Sequence, residues 1–311
     1  MTLHLVTPAS YDSRSGNRVT ARRWARLLRS LGHRVVVETE YLGGRADALI
    51  ALHAVKSRPS VLRFRDRNPH SPLVVALTGT DLYCGLGRGG TECLALADRL
   101  VVLQPLAIEA LPPEQRAKAR VILQSVPTPA GPPPARGFDV CVIGHLRPVK
   151  DPLRAALASR RLPKASRLQI VHLGGALDEA LARRARAEER RNPRYRWLGE
   201  RPRSETLRRL ARARALVLSS RAEGGANVIS EALAMGTPIL ASRIPGSVGL
   251  LGATYRGYFP VGDTRSLARL LARVERDDAF HEALARHCRR LRSLVAPARE
   301  REAWRRLLGG L

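Results

Sequence analysis

Short apolar runs alternate with longer amphipathic stretches along the whole chain. Leu3-His4-Leu5-Val6, Val35-Val36-Val37, Ala48 to Leu52, Leu73 to Leu77 and Leu100 to Leu103 are too short for helices and too continuously apolar to keep one face in water, so they predict buried strands. Helical patterns separate most of them. After the first run, Asn17 can cap a helix on which Trp24, Leu27, Leu28 and Leu31 recur at helical spacing, and Gly32 supplies its stop. Strand, helix and strand in this order predict a parallel sheet covered on both faces.

The pattern breaks between Val126 and Gly137, where proline after proline removes amide donors and forbids a helix. It then resumes, with strands expected at Asp139 to Ile143, Leu168 to Leu173, Tyr195 to Leu198, Ala215 to Leu218 and Pro238 to Ala241. The expected architecture is α/β, with two Rossmann-like, doubly wound parallel-sheet domains: residues 1–126, a Pro-rich linker at 127–137, and residues 138–296. A closing helix over 297–311 carries Trp304, Leu307 and Leu308 at helical spacing and either packs on its own domain or crosses back to the first. A length of 311 residues suits two cores. Two such sheets leave a cleft, and ligands bind beyond the carboxyl ends of their strands.

The formal charge of +27 raises the possibility of a polyanionic partner. Its distribution argues against specific nucleic-acid binding, because arginines lie along nearly every helical stretch and aromatic residues make up only 4%, poor material for base stacking. A nucleic-acid binder remains the alternative class, and it predicts affinity that falls steeply with salt. The four cysteines form no CxxC pair and read as reduced thiols, with Cys141 buried in its apolar run. Neither an export signal at Met1 to Ser10 nor a run long enough to span a membrane is evident, so the expected location is the cytoplasm.

Candidate chemistry gathers just after the strands. Ser219 to Pro238 reads as strand end, glycine loop, helix and next strand. Gly224 and Gly225 allow close backbone approach, and the helix starting near Ala226 or Asn227 offers free amides and a positive dipole end to an anion. Glu223 and Glu231 flank this turn, and a carboxylate can accept two hydrogen bonds from a vicinal diol. In Gly144-His145-Leu146-Arg147-Pro148-Val149-Lys150, Arg147 offers a planar fork and Lys150 a point charge for phosphate oxygens. In the first half, Gly16 and Asn17 sit at a helix mouth, His53 and Lys56 follow one strand, and Thr78-Gly79-Thr80-Asp81 follows another.

Glu223 and Glu231 give the spacing E-x7-E, and the segment resembles the GT-B glycosyltransferases of the GT4-like group. That resemblance implies a GT-B fold and a nucleotide-sugar donor. It also implies a catalytic region containing His53 and Glu223, ribose contacts from Glu231, and donor sugar and phosphate contacts from Gly16, Asn17, Arg147, Lys150 and the Gly224, Gly225, Ala226, Asn227 and Val228 backbone. No metal cofactor is expected, since Arg147 and Lys150 can take the charge of a departing nucleotide. Two positions depart from the group: an aromatic residue usually stands where Gly225 is, and His-Gly where Thr78-Gly79 is. Taken together, Ser15 to Ala25, Leu52 to Ser57, Ala76 to Tyr83 and Gly144 to Pro152 also resemble the selenosugar synthases of selenoneine biosynthesis. This implies transfer of N-acetylglucosamine or glucose from its UDP derivative to selenophosphate, a small anion suited to Arg18, Lys56, Thr78, Thr80 and Asp81. An O-glycosyltransferase with another acceptor is the alternative within the group.

Overall fold

The computed structural model describes residues 1–13, 15–128 and 137–311; residues 129–136 of the expected linker lie outside the described residues. The chain divides into two compact units. One comprises Met1–Ser125, Glu223–Asn227 and Pro297–Leu311, and the other Val126–Ala222 and Val228–Ala296.

The first unit is built on six parallel strands: β1 (Thr2–Val6), β2 (Arg34–Glu38), β3 (Ala48–Leu52), β4 (Leu73–Leu77), β5 (Arg99–Val102) and β6 (Ala119–Val121), in the order β2-β1-β3-β4-β5-β6. Its helices are α1 (Gly16–Ser30), α2 (Arg58–Arg67), α3 (Thr80–Tyr83) and α4 (Gly87–Leu96). Every residue of β3 and β4 is buried, as strands sandwiched between two helical layers must be. Successive residues serve opposite cores. Leu49 and Ala51 join Phe64, Val75 and Leu94 on one face, while Ile50 and Leu52 join Trp24, Leu28, Val74 and Trp304 on the other.

The second unit repeats the scheme with β7 (Asp139–Ile143), β8 (Gln169–Leu173), β9 (Tyr195–Trp197), β10 (Ala215–Leu218), β11 (Ile239–Ser242) and β12 (Tyr258–Phe259), again all parallel, in the order β12-β11-β10-β7-β8-β9. Around them lie α5 (Arg154–Ser159), α6 (Glu179–Arg191), α7 (Arg203–Arg212), α8 (Asn227–Met235), α9 (Pro245–Leu251), α10 (Thr264–Arg276) and α11 (Asp278–Leu291). The last helix, α12 (Pro297–Gly309), belongs to the first unit, where Trp304 meets Trp24 edge to face at 4.7 Å between ring centroids. Such a pair adds about 1 kcal/mol beyond its buried area.

Local details differ from the sequence-based expectation at a few points. Ser15, not Asn17, caps α1, its hydroxyl accepting from the Arg18 amide at 3.5 Å. The edge strands β6 and β12 have only three and two residues, too few to leave a periodic signature. All four cysteines are free thiols; burial pushes Cys141 up to about 12 and Cys93 to about 11, which keeps both protonated and unreactive. Among the described residues no helix is long and apolar enough to cross a membrane.

Candidate functional site

In each sheet the chain starts in the middle, winds one way and then returns to wind the other. The direction reverses between β1 and β3 in the first unit and between β7 and β10 in the second. Loops leaving such neighbouring strands diverge, and the gap they leave is where doubly wound sheets take ligands. Every candidate motif from the sequence sits after one of these strands or after β4, beside β3.

In the first unit His53 leaves β3 with φ of 74°, an unusual left-handed conformation for a non-glycine residue. The turn buries its ring at 6% exposure. Nδ1 accepts the Lys56 amide at 3.3 Å, so Nε2 carries the hydrogen facing Thr80 Oγ1 at 3.1 Å. Lys56 itself is exposed and Thr78 half-buried. In place of the acceptor contact expected from the sequence, Asp81 is a loop clamp. It is 1% exposed, and its carboxylate accepts from the amides of Ala54 (3.0 Å), Thr78 (3.0 Å) and Gly79 (2.7 Å), tying the β3 and β4 exits together. Its Oδ2 lies 3.8 Å from His53 Nδ1.

Gly16 is exposed and Asn17 half-buried at the mouth of α1, whereas Arg18 is only 3% exposed. The Arg18 guanidinium lies 4.7 Å from the Tyr11 ring centroid, and its buried Nε has no hydrogen-bond partner among the described residues. A buried cation whose Nε is unpartnered among the described residues bears a desolvation cost that the Tyr11 face offsets only in part.

The segment Glu223–Asn227 packs against this same edge of the first unit. Its two glycines leave no room for a side chain, because other parts of the first unit occupy the Cβ direction of each. A Cβ on Gly224 would stand 2.6 Å from the Thr78 carbonyl carbon, and one on Gly225 2.6 Å from Leu103 Cβ. An enlarged side chain at Gly225 would meet Leu103 in this direction. Ala226 is buried, and the Asn227 side chain turns inward, with Oδ1 accepting from Arg23 at 2.9 Å and Nδ2 donating to the Gly16 carbonyl at 3.4 Å. Glu223 is half-buried.

In the second unit the β7 exit is shaped from beneath by His172. Its Nε2 donates to the Gly144 carbonyl and its Nδ1 accepts from the Tyr195 hydroxyl, both at 2.9 Å. Burial lowers this imidazole to about 4, with the Gly144 bond opposing and nearby His145 assisting. Ser219, at the β10 exit, donates to the carbonyls of Lys150 (3.2 Å) and Asp151 (2.9 Å), and the Arg221 amide donates to Val149 at 2.8 Å. These bonds bring the basic turn and the β10 loop together, with Arg147 exposed and Lys150 half-buried. Val228 and Glu231 are buried on α8, and Glu231 pairs with Arg203 from α7. Among the described residues no group of three His, Cys, Asp or Glu side chains could hold a metal ion.

Arg203, His172, Ser219 and the Arg23 cluster escape a sequence reading. Each acts on a partner far along the chain, and an arginine among 54 basic residues carries no local signal.

The family model for glycosyl transferases group 1 matches residues 130–291, just over half of the 311-residue chain. Among solved structures, HepE of Anabaena, crystallised with UDP and glucose, is similar over 100% of both chains at 16% identity with a TM-score of 0.78. Sucrose-phosphate synthase from Thermosynechococcus elongatus is similar over 100% of both chains at 16% identity and 0.77. TarM of S. aureus, crystallised as a mutant with Fondaparinux, alpha-GlcNAc-glycerol and UDP, is matched by 84% of this chain at 15% identity and 0.68; there the chain spans 55% of the other's length.

Proposed function

Because the chain belongs to the glycosyl transferases group 1, we propose that it transfers a hexose, glucose or N-acetylglucosamine, from its UDP derivative to selenophosphate. The selenium lone pair forms a bond to C1 of the sugar as the bond from C1 to the β-phosphate oxygen breaks, and UDP departs with that electron pair. UDP is the nucleotide found with HepE and TarM, which share this fold.

In the second unit, Arg147 and Lys150 take the diphosphate and its developing charge, the task a metal performs elsewhere. Glu231, oriented by Arg203, accepts from the ribose hydroxyls, since a carboxylate has lone pairs for several donors. The α8 N-terminal amides, including those of Asn227 and Val228, and the turn at Gly224, Gly225 and Ala226 supply donor contacts through backbone, as do Gly16 and Asn17 at the α1 mouth. Glu223 addresses the donor sugar.

Arg18 carries the acceptor assignment: a 3% exposed cation, with no hydrogen-bond partner for its Nε among the described residues, is compensated when an anion arrives. Lys56, Thr78 and Thr80 follow neighbouring strands along the same sheet edge and suit the oxygens of a small phosphate-like acceptor. A soft selenium nucleophile needs little help from a base, and His53, with its hydrogen on Nε2, serves as a donor orienting the sugar or stabilising charge.

The test incubates the protein with UDP-glucose or UDP-N-acetylglucosamine together with selenophosphate, phosphate or simple alcohols, and weighs the products. A Se-glycoside formed with one UDP-sugar is the expected product. Sugar transfer to alcohols and none to selenophosphate would overturn the acceptor assignment while leaving the transferase standing.

A further inference from the structure

Arg23 lies in the second turn of α1, facing inward, with its side chain mostly buried. Its planar fork touches three separate stretches of chain. Nε donates to the two carboxylate oxygens of Glu300 on α12 at 3.2 and 3.0 Å. Nη1 donates to Asn227 Oδ1 at 2.9 Å, and Nη2 to Gln124 Oε1 at 2.6 Å.

Each partner is itself held. Glu300, with a fully buried side chain, also accepts from the Trp24 indole at 2.7 Å and from the Ser125 amide at 2.9 Å. Gln124 Oε1 accepts from Thr20 at 2.6 Å, and its amide donates to the Gly225 carbonyl. Asn227 Nδ2 donates to the Gly16 carbonyl at 3.4 Å and to Thr20 Oγ1 at 3.3 Å. The guanidinium therefore reaches, through one side chain each, both turns assigned above to the donor: the α1 mouth at Gly16 and the stretch from Gly225 to Asn227.

We infer that Arg23, anchored by Glu300, is a positioning residue for the nucleotide-sugar, setting the separation of these two turns. The inference rests on the reading that both turns meet the donor. Stability alone does not call for such a device, because a buried ion pair gains little over well-packed apolar side chains once its desolvation is counted. Geometry does call for it. Only a rigid fork with donors in several directions can bind three acceptors at fixed angles, and lysine, a single point charge on a flexible stem, cannot replace it. It follows that α12, remote in sequence, is a working part of the donor turns through Glu300.

UDP binding by calorimetry to the full chain tests this, because stoichiometry reports the folded fraction and the dissociation constant reports the turn geometry. Arg23→Lys and Glu300→Gln are expected to weaken UDP by about tenfold or more at unchanged stoichiometry. Gln124→Met leaves the Arg23–Glu300 pair intact, so it keeps the question open to measurement should the charge variants fail to fold; it too weakens UDP. In a double-mutant cycle, Arg23→Lys with Asn227→Ala loses less than the sum of the single losses. If Asn227→Ala weakens UDP while Arg23→Lys, Glu300→Gln and Gln124→Met do not, the positioning role falls and the donor reading stands. Absence of UDP binding by the parent overturns both.

Discussion

Gly79 and Gly224 meet backbone to backbone: a Cβ built on Gly79 would stand 2.3 Å from the Gly224 nitrogen. Neither residue tolerates a side chain there, and Gly79 also has φ of +130°. Gly224→Ala is expected to force the β4 exit away from the Glu223–Asn227 segment, costing about 1 to 3 kcal/mol as an overpacking change and weakening UDP. Gly137→Ala, whose added Cβ meets nothing within 4 Å among the described residues, should stay within about 0.5 kcal/mol of the parent. Urea unfolding of the two variants checks this, and equal midpoints would refute the close approach.

Gly225 offers a sharper version. The aromatic residue usual in GT4-like relatives cannot enter along a Cβ direction that meets Leu103 Cβ at 2.6 Å. Gly225→Phe is therefore expected to abolish UDP binding or destabilise the chain by about 1 to 3 kcal/mol. Combining it with Leu103→Ala should recover part of the loss. An unchanged single variant would show that the Leu103 wall is not where it is drawn.

The strand grammar was legible because both sheets are parallel and buried, so β3, β4, β7 and β10 stand out as short apolar runs with the bounds the structure gives them. Motif positions followed from the same rule, since Arg147, His53 and Thr80 all come directly after such a run. What stayed hidden was the use of each side chain. Asp81 looks like a ligand carboxylate in sequence and is a clamp on three amides. Gly224 and Gly225 announce a close backbone approach in sequence, but not that Thr78 and Leu103 are what stand in their Cβ directions. The Asp81 clamp reaches two neighbouring amides and one 27 residues away, whereas the glycine contacts and the Arg23 bonds to Asn227 and Glu300 span more than a hundred residues of chain, and no local pattern encodes those.

His172 predicts an acid-sensitive second unit. Its imidazole falls from an ordinary 6.5 to about 4 on folding because the buried site disfavours charge. Between those values the unfolded chain binds the extra proton, so stability is complete above pH 6.5 and is lost as pH falls toward 4, by up to about 3 kcal/mol. His172→Gln removes this titration. The parent-minus-variant difference in urea unfolding energy should therefore fall as pH drops through that window, and a difference independent of pH would contradict the buried neutral ring.

On α8, Glu231 is paired with Arg203 across from α7. If Glu231 holds ribose hydroxyls, Glu231→Ala should weaken UDP strongly, whereas Arg203→Ala, which only orients the carboxylate, should weaken it less. Calorimetry with UDP and with 2′-deoxy-UDP separates the roles: the deoxy analogue should bind the parent more weakly, and Glu231→Ala should erase that preference. A preference that survives Glu231→Ala would assign the ribose to another residue.

His53 separates an orienting donor from a general base. With Nδ1 accepting the Lys56 amide and Nε2 facing Thr80, the ring offers a hydrogen and has no open nitrogen of its own to remove one. Its backbone conformation complicates a plain truncation, since alanine at φ of 74° is strained by about 1 kcal/mol. Asparagine tolerates that conformation better and retains an N–H. Turnover with a UDP-sugar is therefore expected to fall about a hundredfold in His53→Ala, the scale for losing a charge-stabilising donor, and distinctly less in His53→Asn. A general base would give the opposite pattern, because an amide cannot accept a proton at neutral pH and both variants would fall together. Full turnover in His53→Ala would remove the residue from the reaction altogether.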